Sequence, residues 1–297
     1  MSTPTSSTTA ASGTTAPRPA VPMPSFLSSS LRIFDLSLGR MLWSRSTIFM
    51  ALVVGLPVVI ACLVRGIEVL GWGGPQVNGV AVSGPALFGT MIWLMFLRFI
   101  VPVLAVFYGT SLIADEVEDK TITYLFTRPI PRGAVMAGKY LAYLVSTVMV
   151  VLPSVTLVYF LIVPYGGGGI PAIAQSFPDL VKDLALLALG LIAYGAVFAW
   201  VGARFKRPLL TGLAFIFGWE QAALVFPGYL KRFTIAYYLQ GLVPHAMPSD
   251  NLLGVIQSLV RETPSLGLCL TALAVITAVF LGLAIRLVGR REYVLEQ

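Results

Sequence analysis

The sequence predicts an all-α integral membrane protein. We expect six transmembrane helices, an amphipathic helix before the first, and a short helix in the connector between the second and third. Hydrophobic residues make up 57% of the 297 residues and charged residues only 11%, whereas a soluble domain carries roughly a quarter charged residues. The apolar residues form continuous Leu-, Val- and Ala-rich runs, and the connector 114–132 between two runs is densely charged.

The apolar runs have the length of membrane-spanning helices. A helix needs about 20 apolar residues to cross ~30 Å of hydrocarbon. Continuous apolar composition favours helices over the alternating strands of a membrane barrel. The predicted spans are 46–64, 86–113, 135–163, 184–203, 208–228 and 265–287, within one transmembrane domain at 46–290. The glycine run at 166–169 predicts a flexible turn on the outer face.

The two ends of the chain have different compositions from the spans. Residues 1–25 are rich in Ser, Thr, Ala and Pro, which predicts a disordered tail, and 291–297 form a second short tail. Residues 26–45 predict an amphipathic helix lying in the membrane interface. It is either an elbow helix leading into a transporter or a generic juxtamembrane anchor. Its apolar face consists of Leu27, Leu31, Phe34, Leu38 and Met41.

The distribution of basic residues predicts the orientation. Six spans place both termini on one side, and that side also holds the 114–132 connector. Of the 20 Lys and Arg residues, most lie on this side. The positive-inside rule therefore predicts that both termini and the connector are cytoplasmic. The net charge of +7 fits attraction to anionic lipid and needs no nucleic-acid partner.

The connector mixes charged and apolar side chains in a way that suits a short helix. Carboxylates crowd its start, which favours a helix N-terminus there, and Pro129 and Pro131 would end it. Ile122 and Phe126 project from the face opposite to the apolar residues expected to lie against the membrane. They either enter a pocket of another protein or belong to a solvated loop whose charges keep it out of the bilayer.

The connector also resembles the cytoplasmic loop of type-2 (exporter-like) ABC transporter permeases. That family's pattern reads Glu-x-Glu-x-Gly-Thr-Leu, then Leu-x-x-Arg/x-Pro-Val-Ser-Arg, then Gly-Lys. Lys120, Ile122 and Pro131 depart from it. The matching residues are Glu116, Glu118, Thr121, Leu125, Arg128, Pro129, Arg132, Gly138 and Lys139.

The resemblance implies a permease subunit in the cell membrane, in an exporter driven by a separate ATPase. In such proteins the connector is a coupling helix that docks into the ATPase, which would bind ATP and Mg. A second permease protomer, identical or homologous, would complete the pathway. The implied coupling residues are Glu116, Glu118, Thr121, Ile122, Leu125, Phe126, Arg128, Pro129 and Arg132.

The chain itself offers no sign of catalysis, a cofactor or a metal site. A phosphate-binding loop needs Gly-x-x-x-x-Gly-Lys-Ser/Thr, and the glycine run at 166–169 lacks the Lys and Ser/Thr. We therefore expect no enzyme activity in this chain. One alternative function is a mechanotransmission module that relays ATPase motion to an extracytoplasmic partner without moving substrate. A secondary transporter is disfavoured, because no inverted repeat is visible and membrane carboxylates are scarce.

Two charges fall inside predicted spans. At ~1.5 Å per residue, Arg98 and Glu220 lie at similar depths from the cytoplasmic face. A charge at mid-bilayer costs at least ~2.5–3.5 kcal/mol, so we expect a buried polar pair or polar groups lining a cavity. Alternatively, Arg98 snorkels to the outer headgroups and Glu220 packs against the outer segment 229–263.

Two further patterns concern packing. Small residues at Gly195, Ala199 and Ala203 predict a close helix contact, either within the chain or between protomers. The outer segment 229–263 contains an apolar face after a Ser249-Asp250 capping candidate, which predicts a short interfacial or re-entrant helix, or a passive lid.

Overall fold

The structure is a computed structural model that describes residues 25–42, 45–72, 76–77, 80–118, 132–225, 229–243 and 264–290. The described residues are almost entirely helical, which confirms the all-α prediction. The exceptions within the described ranges are short turns and a small antiparallel ribbon, in which Gln76–Val77 pairs with Val80–Ala81.

The helices follow one another with few breaks. The first part of the chain contains α1 (Phe26–Leu42), α2 (Arg45–Val69), α3 (Gly84–Met91), the π-helical segment π1 (Ile92–Ile100), α4 (Val101–Glu118) and α5 (Arg132–Ile162). A 3₁₀ turn at Tyr165–Gly167 leads to α6 (Gly169–Arg204). The second part contains α7 (Pro208–Ala214), π2 (Phe215–Glu220), α8 (Gln221–Val225), a 3₁₀ turn at Tyr229–Phe233, α9 (Ile235–Gly241) and α10 (Leu266–Arg290).

Five helical stretches are long and apolar enough to cross a membrane. They are Thr47–Val69, Gly84–Ile113, Gly133–Ile162, Gly169–Arg204 and Leu266–Gly289. They correspond to the first, second, third, fourth and sixth predicted spans. The fifth predicted span, 208–228, is helical through α7, π2 and α8 but is not among the five. The described residues therefore support a multi-pass helical membrane protein, with five candidate spanning helices among them.

The fourth spanning helix is longer than the sequence predicts. The turn expected at 166–169 is present, and Gly166, Gly167 and Gly169 have positive φ angles of 76°, 82° and 54°. However, α6 begins at Gly169 rather than near 184. Its 36 residues extend about 54 Å at 1.5 Å per residue, well beyond ~30 Å of hydrocarbon. Because the N-terminal part of α6 carries Pro178 and the Asp179–Lys182 ion pair, we expect this part to protrude from the membrane.

Helix α1 packs along α5, and the contact depends on a glycine. A Cβ atom at Gly138 would lie 2.5 Å from the Ser30 carbonyl oxygen, so only glycine allows this approach. Ile33 is buried in the same contact. Leu27 and Leu31, on the predicted apolar face, are exposed. A helix is thus present at the predicted position with one side on α5, while the predicted apolar face is exposed at Leu27 and Leu31 and packs on the core at Met41.

The core is built where α4 packs against α6. The small residues predicted to make a close contact do so within this chain. A Cβ atom at Gly109 of α4 would lie 2.9 Å from the Phe198 Cβ and 3.5 Å from the Ala199 amide nitrogen. One at Gly202 would lie 2.4 Å from the Thr110 carbonyl oxygen. This settles the alternative left open by the sequence in favour of an internal helix contact.

Candidate functional site: a polar cavity beside two π-helical segments

The two charges singled out by the sequence lie on the two π-helical segments. Arg98 is in π1 and Glu220 is the last residue of π2. The segments are neighbours, because the rings of Phe99 and Phe217 lie 6.5 Å apart. A π-helix closes its hydrogen bonds between residues five apart, is rare, and occurs frequently at functional sites. The structure therefore places both charges where two unusual backbone segments meet.

Arg98 is held by a neutral side chain from the facing segment. Its Nε and Nη2 atoms donate to Oε1 of Gln221, over 3.2 and 2.5 Å. The guanidinium carbon also lies 5.5 Å from the centre of the Trp93 ring, an arrangement that attracts a cation to the ring face. These contacts engage the half-buried Arg98 head group with side chains of the protein.

Glu220 is almost fully buried, with 2% of its surface exposed. The Tyr194 hydroxyl, from α6, donates to Oε2 over 2.6 Å. The backbone amides of Ile235 and Ala236 lie near the carboxylate, but Oε1 has no hydrogen bond of normal geometry with the described residues. The carboxylate is therefore held by the Tyr194 hydroxyl on one side and lies against the start of α9 on the other.

One small cavity contains both charges. Its enclosed space is that of about one water molecule. The side chains of α9 cover its outer side, where Leu239 packs on Gly190 of α6. The lining residues are Trp93, Leu97, Arg98, Pro102, Tyr194, Glu220, Gln221, Ala236 and Gln240.

Arg98 and Glu220 both line this cavity, and among the described residues they do not form a direct ion pair. Each has its own polar partner, Gln221 for Arg98 and Tyr194 for Glu220. The sequence pointed to the two charges but missed these partners. Gln221 and Tyr194 are also polar groups within apolar runs, and this signal could have found them.

The proposed coupling segment lies mostly outside the described residues. Helix α4 continues without a break to Glu118, and α5 begins at Arg132. Glu116 and Glu118 therefore occupy the last turn of α4 rather than the first turn of a separate helix. Nothing between residues 113 and 118 interrupts a helix, since neither glycine nor proline occurs there. The remaining coupling residues, Thr121, Ile122, Leu125, Phe126, Arg128 and Pro129, lie outside the described ranges, as does the 249–260 part of the outer segment.

Gly138 and Lys139, the Gly-Lys pair after the connector, make contacts that join α1, α4 and α5 near the two ends of the connector, which we call the base of the connector. Lys139 of α5 donates through Nζ to the Leu112 carbonyl oxygen of α4, over 2.7 Å. The adjacent Gly138 is the point at which α1 rests on α5. The last described turns of α4 and the start of α5 are therefore fixed to each other and to α1.

Other chemistry is not indicated within the described ranges, where no three His, Cys, Asp or Glu side chains are placed to hold a metal ion. The fold and the buried polar cavity define the class of a multi-pass helical membrane protein with polar groups between its spans. The chain matches, over residues 4–292, the sequence model of the family described as ABC-2 family transporter protein. It belongs to that family, and it is accordingly a membrane permease subunit rather than a catalytic one. No curated protein matches the chain.

Proposed function

We propose that this permease is the membrane subunit of an ABC exporter and that a separate ATPase drives it through the 114–132 connector. ATP and Mg bind to that ATPase. Two permease subunits, identical or homologous, form the pathway in the cell membrane. Closure of the ATPases moves the connector, and the spans alternate between inward-facing and outward-facing states.

The observation that carries this proposal is the fixed base of the connector. Lys139 joins α5 to the Leu112 carbonyl of α4, and Gly138 seats α1 on α5. Because these contacts link the ends of two spanning helices, a force applied to the residues between Glu118 and Arg132 reaches both helices together. Family membership supplies the partner that would apply the force.

We further propose that α7, π2 and α8 form a sixth span. The stretch Pro208–Val225 is helical throughout, and its neighbours α4 and α6 are spanning helices. Six spans return the chain to its starting side, and the excess of basic residues on that side supports cytoplasmic termini. Helix α1 then lies as an elbow helix at the cytoplasmic surface, with Leu27 and Leu31 towards lipid.

Purification of the tagged chain from its native membranes tests this proposal. We expect an ABC ATPase to copurify in a fixed ratio and the complex to hydrolyse ATP. The Glu220→Gln variant should leave copurification intact, since Glu220 is buried in the cavity beside Arg98 and is not part of the connector. A chain that purifies intact without any ATPase would contradict the proposal.

The alternative function, mechanotransmission to an extracytoplasmic partner, has one observation in its favour. The protruding part of α6 exposes Ile170, which is 81% accessible, and carries the exposed Asp179–Lys182 ion pair. Such a surface is accessible to a partner outside the membrane. Purified complex in sealed vesicles separates the two functions: an exporter moves a substrate across the bilayer when supplied with ATP, whereas a mechanical module hydrolyses ATP without moving one.

A further inference from the structure

The π2 segment changes which side chain faces Arg98. An α-helix advances 100° per residue, since it has 3.6 residues per turn. A π turn, which closes between residues five apart, accommodates one more residue than an α turn. Each residue after π2 therefore has about the angular position that the preceding residue would have if the helix were α-helical throughout. If π2 became α-helical, residue 220 would take the angular position that residue 221 now holds.

That exchange would bring a carboxylate to Arg98. In the structure the acceptor at this position is the neutral amide of Gln221. Glu220, the adjacent residue, lines the same cavity and has a buried oxygen without a hydrogen bond. A carboxylate offers the guanidinium an opposite charge and two acceptor oxygens for a bidentate contact, whereas Gln221 offers one neutral amide oxygen. A carboxylate also accepts at both oxygens, so contact with Tyr194 and with Arg98 is compatible.

The cavity has room for about one water molecule, which excludes a substrate-sized ligand in this conformation. We propose that Arg98 is a two-position latch, which binds Gln221 while π2 is π-helical and Glu220 when π2 becomes α-helical. The latch switches the outer half of the Pro208–Val225 helix between two rotational positions. Its coupling to ATP rests on the proposed function, whereas the two positions themselves do not.

The latch predicts a change in exposure just beyond the π segment. Ala222 is exposed, and Ala223 is buried with 2% accessibility. In the α register, Ala222 takes the angular position of Ala223 and becomes buried. A cysteine at 222 therefore reports which register is occupied, and the replacement of alanine by cysteine adds only one sulfur atom.

Thiol labelling of Ala222→Cys by N-ethylmaleimide, in membranes holding the full chain, tests the latch. The two native cysteines are first replaced by Cys62→Ser and Cys269→Ala. Gln221→Glu gives Arg98 a charged partner in the π register, and Gln221→Ala removes the partner. We expect Ala222→Cys to label about fivefold faster with Gln221→Glu than with Gln221→Ala, the ratio that one net hydrogen bond produces. Adding Glu220→Gln to Gln221→Ala should restore faster labelling of Ala222→Cys, because it removes the carboxylate that binds Arg98 in the α register.

The matched control is Trp72→Cys beyond the C-terminal end of α2, a residue 78% exposed whose labelling should not respond to these changes. If Gln221→Ala does not accumulate, Gln221→Asn shortens the acceptor by one methylene and serves in its place. A labelling ratio below about twofold, or an equal change at Trp72→Cys, would overturn the latch. Labelling in the presence of nucleotide and vanadate then tests whether the latch is coupled to ATP hydrolysis. If labelling of Ala222→Cys responds to the variants but not to nucleotide, the latch stands and the proposed ATP-driven function is contradicted.

Discussion

Arg98 donates two hydrogen bonds to a single oxygen of Gln221, over 3.2 and 2.5 Å, although an acidic residue is the immediate neighbour of that glutamine. The bonds connect the second spanning helix to the Pro208–Val225 helix in the interior of the protein. The stability of this region therefore depends on a hydrogen-bonded pair of one charged and one neutral side chain, and the Glu220 carboxylate lines the same cavity.

Removal of the Arg98 side chain should destabilise the protein and should couple strongly to Gln221. Arg98→Ala loses hydrogen bonds that involve a charged group, each worth about 1.5–3 kcal/mol. Thermal melts in detergent of Arg98→Ala, Gln221→Ala and the double variant measure the coupling, which should lie in the 0.5–3 kcal/mol range of contacting pairs. The corresponding cycle with Glu220→Ala should give a smaller coupling, since no ion pair joins those residues. Strictly additive losses in both cycles would mean that Arg98 snorkels to the headgroups.

Tyr194→Phe should destabilise the permease because it deprives Glu220 of its hydroxyl donor. A buried acceptor left unpaired costs about 1–3 kcal/mol, and Glu220 is only 2% exposed. Tyr143→Phe is the matched control: its hydroxyl donates to the Leu191 carbonyl, which belongs to a helix and keeps its backbone bond. The melting temperature should fall more for Tyr194→Phe, and equal losses would show that Glu220 does not depend on Tyr194.

Gly202→Ala should prevent close packing of α4 and α6. The new Cβ would lie 2.4 Å from the Thr110 carbonyl oxygen, and a backbone atom in a spanning helix cannot move aside as a flexible side chain can. Overpacking typically costs about 1–3 kcal/mol, so we expect a lower yield of folded protein by size-exclusion chromatography. Gly282→Ala, where nothing lies within 4 Å of the new Cβ, should behave like the wild type. Similar yields for both variants would argue against the α4–α6 contact.

Glu116→Ala and Arg132→Ala should uncouple the complex while leaving it folded and inserted. Their charges flank the proposed docking segment, and charged groups at a surface contribute little to stability on their own. ATP hydrolysis stimulated by substrate, or by the permease itself, should fall in both variants. Asp179→Ala, which breaks an exposed ion pair on the opposite side, serves as control. Unchanged stimulation in the two connector variants would leave their charges with a merely solvating role.

Apolar length was enough to predict most of the fold, but the start of α6 needed the structure. The start of α6 near Gly169 was missed because Pro171, Pro178 and the charges at 179 and 182 are typical of a loop. Pro171 instead falls in the first turn of a helix, where proline is favoured, and the buried Leu180 packs the protruding part against the core.

The candidate site was likewise only partly predictable from the sequence. Arg98 and Glu220 stand out in apolar runs, so composition alone brought them together at one depth. Their partners did not follow, because the π-helical turns that aim Gln221 rather than Glu220 at Arg98 arise from packing between helices. No local sequence preference distinguishes a π turn from an α turn within Phe215–Glu220.

Crosslinking from the connector to the ATPase tests the central claim most directly. Ile122→Cys and Phe126→Cys, each in the intact complex, should capture the ATPase with a short thiol-reactive crosslinker and should be shielded from water-soluble maleimide. Trp72→Cys, at a residue 78% exposed beyond the outer end of α2, should remain labelled and capture no ATPase. If both connector cysteines stay freely labelled in the complex and capture nothing, the permease is not driven through residues 114–132.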